Sequence, residues 1–521
     1  MRRTEAVVNW AEREWMESVV VWFRKGLRLH DNPALIKAIE HANAKSIPLA
    51  PLFVIDPRFA HSSFVGGNRY HFLLESLSDL DRNLKNKYQS KLIVLKGNPV
   101  QVFSDMFQSN HPFKVVKVFL ESDTEPYALK RDSEIQKLAE SFFVEIESFC
   151  SHTIFNPIQT IEENGGKPPL TYKSFEGLVY SKLRKIKALP SPDPSHFPSL
   201  PVISVSHEIP TLEEMGYSDS DVNFSRALHG GETIALETME EYLKDHKKVV
   251  SFEKPQTSPA EWLPASTTCL SPYLKFGCLS PRLFAVRLLE IEKANPKHSK
   301  PPVSLIGQLL WREFFYTVAF GTPNYDSMEL NPICRKFSWV SDDEELISKW
   351  ELAQTGYPWI DALMTQLKTE GWMHHLGRHS VACFLTRGDL YCSWEKGAKV
   401  FDRLLLDADW SLNISNWLWL SASAFFHQYF RVYSPIAFPK KYDPSGKLVR
   451  KFLPQLSKFP DKFIYEPWKA PLKIQKECGC IIGKDYPLPI VDHALVSKQN
   501  ISKHKLAYDN SDAPPSKKAK K

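Results

Sequence analysis

The chain has 521 residues, 43% hydrophobic and 24% charged, with a formal net charge of +6. That is the balance of an ordinary globular protein long enough for two or three domains. No run approaches the roughly 18 apolar residues of a membrane span, and "MRRTEAVVNWAEREWMES" has neither a signal-peptide core nor the acid-poor character of a transit peptide, so an intracellular protein is expected. The eight cysteines include no C-x-x-C, which argues against a disulfide scaffold or a zinc site. The modest positive charge is compatible with a polyanionic partner without pointing to one.

Residues 1–16 read as an N-terminal extension. From 17 to 150, short apolar runs ("VVVWF" 19–23, "LAPLFVI" 49–55, "KLIVLKG" 91–97, "VVKVFLESD" 115–123) alternate with amphipathic stretches such as "NRYHFLLESLSDLDRNLKNKY". The alternation predicts an α/β domain with a parallel, Rossmann-like sheet and crossover helices. No G-x-G-x-x-G or P-loop follows any of these strands, so a nucleotide-like ligand there would be held without the usual glycine fingerprint. Residues 151–232 read as a connector, with six prolines between 190 and 210. From 233 to 490 the periodicity is helical, as in "ALETMEEYLKDH", "SPRLFAVRLLEIEKA", "SLIGQLLWREFFYTVAF" and "WIDALMTQLKTEGWMHH", which predicts a large all-α domain. Residues 491–521 read as a basic, disordered tail whose "PPSKKAKK" is either a solvated end or a nuclear import signal.

Four stretches stand out for chemistry. "GWMHHLGRHSVACF" (371–384) places His375 and His379 at i and i+4 on one helix face. No carboxylate lies between the imidazoles, so no metal is expected; packing and proton donation both stay open on spacing alone. In "FDRLLLDADWSLNISNWLWLSASAFFHQYFRVYSP" (401–435), Asp407 and Asp409 sit in an apolar run and need partners, Arg378 being one candidate. Asn413 and Trp417 share a helix face, whereas Trp417 and Trp419 diverge by about 200° and must meet different surroundings. Tyr391 and Trp394 are i, i+3 neighbours on a possible helix, suited to packing or to electron relay. The hydroxyls and helix-start amides of "STTCLSPYLKFG" (266–277) suit an anion, or ordinary capping.

"VVVWFRKGLRLHDNPAL" (19–35), "TTCLSPYLKFG", "GQLLWREFFY", "TGYPWIDALM" and "DADWSLNISNWLW" resemble, in order, motifs of the photolyase/cryptochrome family, over about residues 17–490. The resemblance implies FAD, folded into a U within the helical domain. It implies Thr267, Thr268 and Ser271 at the pyrophosphate, with Gln308 and Arg312 near by. Asp407 and Asp409 would face the isoalloxazine and adenine-ribose region, with Arg378 paired to Asp407 and Asn413 opposite flavin N5. Trp417, Trp394 and Trp339 match the electron-transfer tryptophans, and Tyr391 stands where animal members often carry a fourth. His375 and His379 match the two catalytic histidines of the (6-4) branch, and the chain looks most like its animal members.

The implied activity is light-driven repair of pyrimidine–pyrimidone (6-4) photoproducts in UV-damaged double-stranded DNA, by a monomer in the nucleus. The flipped lesion would be flanked by Trp311, Trp419 and Tyr433, with Lys254, Lys440 and Lys441 at phosphates. Reduced FAD would give the electron, and His375 the proton, with His379 tuning it; the pair is expected to share one proton. A second, antenna chromophore of unstated identity is compatible with the α/β domain. A cryptochrome-type blue-light receptor or circadian regulator is the competing reading. Asn413, and a tail of only about 30 residues where many cryptochromes carry long ones, lean towards repair.

Overall fold

The computed structural model describes residues 16–108, 112–202, 208–262, 265–340 and 343–509. Five parallel strands, β1 (Glu17–Phe23), β2 (Leu49–Ile55), β3 (Ile93–Lys96), β4 (Lys114–Glu121) and β5 (Glu145–Phe149), form one sheet in the order β3-β2-β1-β4-β5. Helices α1 (Pro33–Lys45), α2 (Gly67–Tyr88), α3 (Pro99–Phe107) and α4 (Pro126–Ser141) make the crossovers.

Central β1 is covered on both faces, which is why it reads as an unbroken apolar run. Val19, Val21 and Phe23 point into a core shared with the helical half, while Val20 and Trp22 meet Phe103, Met106 and Ile135 on the other face. β5 was not among the four strands legible as apolar runs. It is an edge strand, "EIESF", with no fully buried residue, so it carries no such run.

Past the sheet come α5 (Pro157–Glu163) and α6 (Tyr172–Leu183), then α7 (Glu232–Lys244), α8 (His246–Ser251), α9 (Ser271–Phe276), α10 (Pro281–Ala294) and α11 (Leu305–Gly321). The helical half continues with α12 (Glu344–Glu351), α13 (Pro358–Glu370), α14 (His375–Cys383), α15 (Trp394–Leu404) and α16 (Trp410–Leu420). It closes with α17 (Ala437–Tyr442), α18 (Lys447–Phe452), α19 (Leu472–Cys478) and α20 (His493–Asp509). α1, α3 and α5 each start at an Asn-Pro pair, where Asn32, Asn98 and Asn156 accept from the first free amides.

Three sequence expectations change. The connector holds two helices, α5 and α6, both packed on α11; beyond 184 its prolines leave only single 3-10 turns. The helix expected over 359–375 stops at Glu370, because Gly371 turns the chain left-handed (φ +65°). The tail expected from 491 is helical to Asp509: His493 Nδ1 pairs with Asp389 at 2.6 Å, Asn500 donates to the Gly388 and Asp389 carbonyls, and His504 is buried. Its few apolar residues do not recur at helical spacing, so the pattern hid it. The C-terminal lysine run and residues 1–15 lie outside the described residues. Among the described residues no helix is long and apolar enough to cross a membrane.

The two halves meet at Gly277, the C-cap of α9. Its φ is +67°, and a Cβ there would lie 1.7 Å from the Lys25 carbonyl oxygen. Leu27 N–H donates to Phe276 O (3.2 Å), Arg28 Nη1 to Gly277 O (3.0 Å), and Arg282 pairs with buried Asp31 at 2.9 Å.

Candidate active site in the helical half

Asp407 is 8% exposed and fully partnered. Arg378 grips it with both guanidinium nitrogens (3.0 and 2.8 Å), and the Ser271 hydroxyl donates to it at 2.6 Å. A bidentate, charge-assisted pair of this kind is what a buried carboxylate requires. Ser271 is itself solvent-open although it reaches a buried acid, and Thr267, Thr268, Gln308 and Arg378 are half-buried. Trp372, which the sequence reading passed over, donates its indole N–H to Ser271 Oγ (3.3 Å) and stacks on Trp262 at 4.7 Å.

Asp409 and Arg312, both expected at the cofactor, also have protein partners. Asp409 caps α16 through the Ser411 and Leu412 amides and accepts from Tyr316 Oη; Lys25 lies 3.6 Å away. Arg312 is spent on Glu313 (2.9 Å), the His152 carbonyl (2.8 Å) and the Tyr316 ring. Both therefore belong to a buried network against the α/β domain. Gln308 donates to Pro302 O (2.9 Å).

On α16, Asn413 donates to Ala398 O at 2.9 Å and Trp417 packs on Gly397, so both face α15 as their i, i+4 spacing demands. Trp417 is 1% exposed, edge-on to Phe401 (5.0 Å) and Trp350 (6.3 Å). Trp419 is half-buried on the opposite side, edge-on to Trp311 at 5.4 Å and stacked on Phe426. Trp394 starts α15 and is buried; Trp339 and Tyr391 touch at 4.9 Å. Tyr391 does not share a helix with Trp394: it sits in the preceding turn with φ +55°, edge-on to His504 of α20 (5.4 Å).

The contact under Trp417 yields one stability prediction. A Cβ on Gly397 would lie 2.2 Å from Trp417 Cη2 and 2.6 Å from Leu385 Cδ2. Overpacking costs about 1–3 kcal/mol, and overlap with a rigid ring belongs at the upper end. That exceeds the roughly 1 kcal/mol alanine gains over glycine inside a helix. Gly397→Ala is therefore expected to lower the urea midpoint of unfolding at an unchanged slope.

α14 carries the histidines. The His375 and His379 rings are 5.6 Å apart, edge to face, and His379 Nδ1 lies 3.2 Å from Tyr433 Oη. Burial, then the charge of Lys254, holds both imidazoles below their ordinary range, His379 down to about 3. The expectation of one shared proton is thus not the state of the chain by itself. Burial, then Arg378, also lowers the Lys254 ammonium to about 8. Lys254, expected at a DNA phosphate, is half-buried beside the histidines. Exposed Lys440 is paired with Glu466 at 2.7 Å, and Lys441 is exposed. No group of three metal-ligating side chains occurs among the described residues. A cavity of about 290 Å³ opens at the carboxyl ends of β1, β4 and β5, lined by Trp22, Ser122, Ser148 and His152.

A family model described as the FAD binding domain of DNA photolyase matches residues 305–506, and one described as DNA photolyase matches 19–195. The chain is 49% identical to a (6-4)DNA photolyase of Oryza sativa subsp. japonica over 497 residues, 92% of this chain and 88% of that protein. It is also 49% identical to Cryptochrome-1 of Erithacus rubecula over 498 residues, 94% of this chain and 78% of that one. Among solved structures it resembles a class III photolyase from Agrobacterium tumefaciens with a TM-score of 0.78 at 28% identity, covering 96% of this chain and all (100%) of that one. A Synechocystis cryptochrome gives 0.79 at 27%, covering 94% and 99%. The chain belongs to the photolyase/cryptochrome family, and its helical half is the family's FAD-binding domain.

The residues present fit that cofactor. Hydroxyls and a guanidinium stand open in the middle of an otherwise apolar helical body, around Ser271, Asp407 and Arg378. Thr267, Thr268, Ser271 and Gln308 offer neutral polar groups for a diphosphate, with Arg378 and Asn413 on the adjoining helices.

Proposed function

We propose that the protein is a (6-4) DNA photolyase: a light-dependent enzyme acting on pyrimidine–pyrimidone (6-4) photoproducts in UV-damaged double-stranded DNA. The carrying observation is the His375–His379 pair at 5.6 Å, set on the same helix as Arg378, whose guanidinium holds Asp407. A proton donor one helical turn from Arg378, with a second imidazole to tune it, suits a reaction that moves an electron and a proton together. FAD, when bound and reduced, would supply the electron under blue light.

The chain's own residues do the rest. The damaged site, poorly paired, is cheap to flip; Trp311 and Trp419 present aromatic faces to it, and Tyr433 stands against the histidines. A DNA phosphate beside Lys254 would offset the lysine's charge, which after burial is the second cause holding both imidazoles down, and so would favour a proton on His375. His379, tied through Nδ1 to Tyr433, keeps its Nε2 for exchange within the pair. The cavity at the carboxyl ends of β1, β4 and β5 is where open α/β sheets take ligands, and it is the place this reading gives to an antenna chromophore. The lysine run at the C-terminus gives a nuclear address.

The test is direct: FAD-loaded protein, a duplex with one (6-4) lesion, and blue light. Recovery of the two normal pyrimidines is expected; none in light, or equal recovery in darkness, overturns the proposal. The second reading, a cryptochrome-type receptor without repair, is favoured by the equal 49% identity to Cryptochrome-1. It predicts light-driven flavin reduction with no lesion turnover.

Trp417, Trp394, Trp339 and Tyr391 form the proposed refilling path. Trp417 and Trp339 have buried indole N–H groups with no acceptor among the described residues, so each is set to pass an electron and keep its proton. Tyr391 must lose its proton when oxidised. Tyr391→Phe is expected to slow photoreduction of oxidised flavin severalfold, read by absorbance, while chemically pre-reduced enzyme repairs at the wild-type rate.

A further inference from the structure

His374 is the one histidine of "HHLGRH" with no task in the reading above, and the structure makes it the hub of this corner. It is the N-cap of α14, the helix that carries His375, Arg378 and His379. Nδ1 accepts from the Leu376 N–H at 3.1 Å. On the other side of the ring, Nε2 lies 2.9 Å from Thr257 Oγ1, and the Thr257 hydroxyl donates to the Lys254 carbonyl at 2.8 Å. Thr257 has a single hydroxyl proton, and it is spent on Lys254 O. Its oxygen therefore accepts, and Nε2 must donate. Both ends of the ring name the same species, a neutral imidazole with its proton on Nε2.

We propose that His374 is a positioning residue for the proton-donating pair, locked as the neutral Nε2–H tautomer, which fixes the start of α14 to the turn that carries Lys254. The inference rests on the repair reading for its consequence, not for its geometry. A second proton on His374 would place an N–H against the Leu376 N–H, and the cap would be lost. Burial acts in the same sense, pushing this imidazole down to about 3. The His375 ring lies 4.3 Å from it. His375 and His379 thus share any proton that arrives with the substrate, and His374 takes no part in the exchange. The chain His374–Thr257–Lys254 O also ties α14 to the turn whose lysine depresses them.

Two substitutions cut the tie and keep the cap. Thr257→Val keeps the shape and the α14 cap but removes the hydroxyl oxygen that receives His374 Nε2–H. His374→Asn keeps a capping oxygen, asparagine being a strong N-cap, but does not span to Thr257. His374→Ala loses both. In full-length, FAD-loaded protein with pre-reduced flavin, Thr257→Val and His374→Asn are expected to lower repair per absorbed photon by about tenfold, the scale of a slightly misplaced donor, at wild-type lesion affinity and flavin content. His374→Ala falls further.

The readout that a purely structural role would not move is nitrogen NMR of 15N-histidine-labelled protein. One imidazole should stay neutral with its proton on Nε2 from about pH 5 to pH 8, the range in which an ordinary histidine titrates. That signal should vanish in His374→Asn, and the His375 and His379 signals should move in Thr257→Val. Titration of His374 in that range, or wild-type repair and unmoved His375 and His379 signals in Thr257→Val, overturns the proposal. If wild-type protein repairs nothing, the functional reading fails alone, and the tautomer and the Thr257→Val shifts still decide the positioning claim.

Discussion

If the protein repairs (6-4) lesions as proposed, the yield is expected to fall by roughly 10²–10⁴-fold in His375→Ala, the span by which a positioned acid speeds proton transfer. In the proposed reaction electron donation alone does not suffice, because the group that moves would also need a proton. His375 opens α14 next to the ion pair of Arg378 and Asp407, and its ring is half-open where His374 is closed. Removing an imidazole from a helix start capped by another residue leaves the cap in place, so lesion binding and flavin content should stay at wild-type levels. His379→Ala is expected to lose less, since it removes the imidazole that tunes the donor, together with its bond to Tyr433 Oη, and leaves the donor in place. Single-flash yields on saturating lesion duplex check both; an undiminished yield in His375→Ala would sink the proton-donor role.

Asp407→Ala carries the larger structural penalty, about 3–5 kcal/mol for stripping one partner from a buried ion pair. Arg378 keeps 23% of its side chain open to solvent, which places the loss at the lower end. The substitution also leaves the Ser271 hydroxyl without its acceptor, and Ser271 in turn holds the indole of Trp372. Three groups in the proposed flavin cradle lose their anchor together. Denaturant unfolding should show the drop in stability, and the purified protein should arrive without its yellow cofactor. Asp407→Asn, which keeps an acceptor for Ser271 but not the opposing charge, should fall between.

Much of this was legible in the sequence wherever one physical rule dominated. β1 and β2 announced themselves because strands buried almost throughout are unbroken apolar runs, and β3 and β4 because each keeps a buried apolar stretch; β5 did not, because none of its five residues is fully buried. A carboxylate in an apolar run needs a counter-charge, and that argument reached Arg378 for Asp407. It stopped short for Asp409, whose partner Tyr316 lies 93 residues away on α11 and is a neutral hydroxyl that no charge rule would pick out. The helical spacing of His375 and His379 was readable, as was the divergence of Trp417 from Trp419. Lys254 was not: it meets the histidines only through the packing of the turn after α8 on α14, a long-range contact with no local signature. The cap at His374 did leave a trace, since Gly371 marks a helix end three residues earlier and a new helix needs a side-chain acceptor at its start.

The close approach at Gly277 has a meaning for how the molecule folds. One hydrophobic core runs from the α1 face of the sheet into the helical body, and at the seam two backbones touch with no room for a methyl group. Neither half keeps its interior dry without the other. Calorimetry should then register a single cooperative melt for residues that the sequence divides in two, and a helical half expressed from residue 233 onward should aggregate. The boundary between the halves is a feature of the chain's order, not a line along which the protein comes apart.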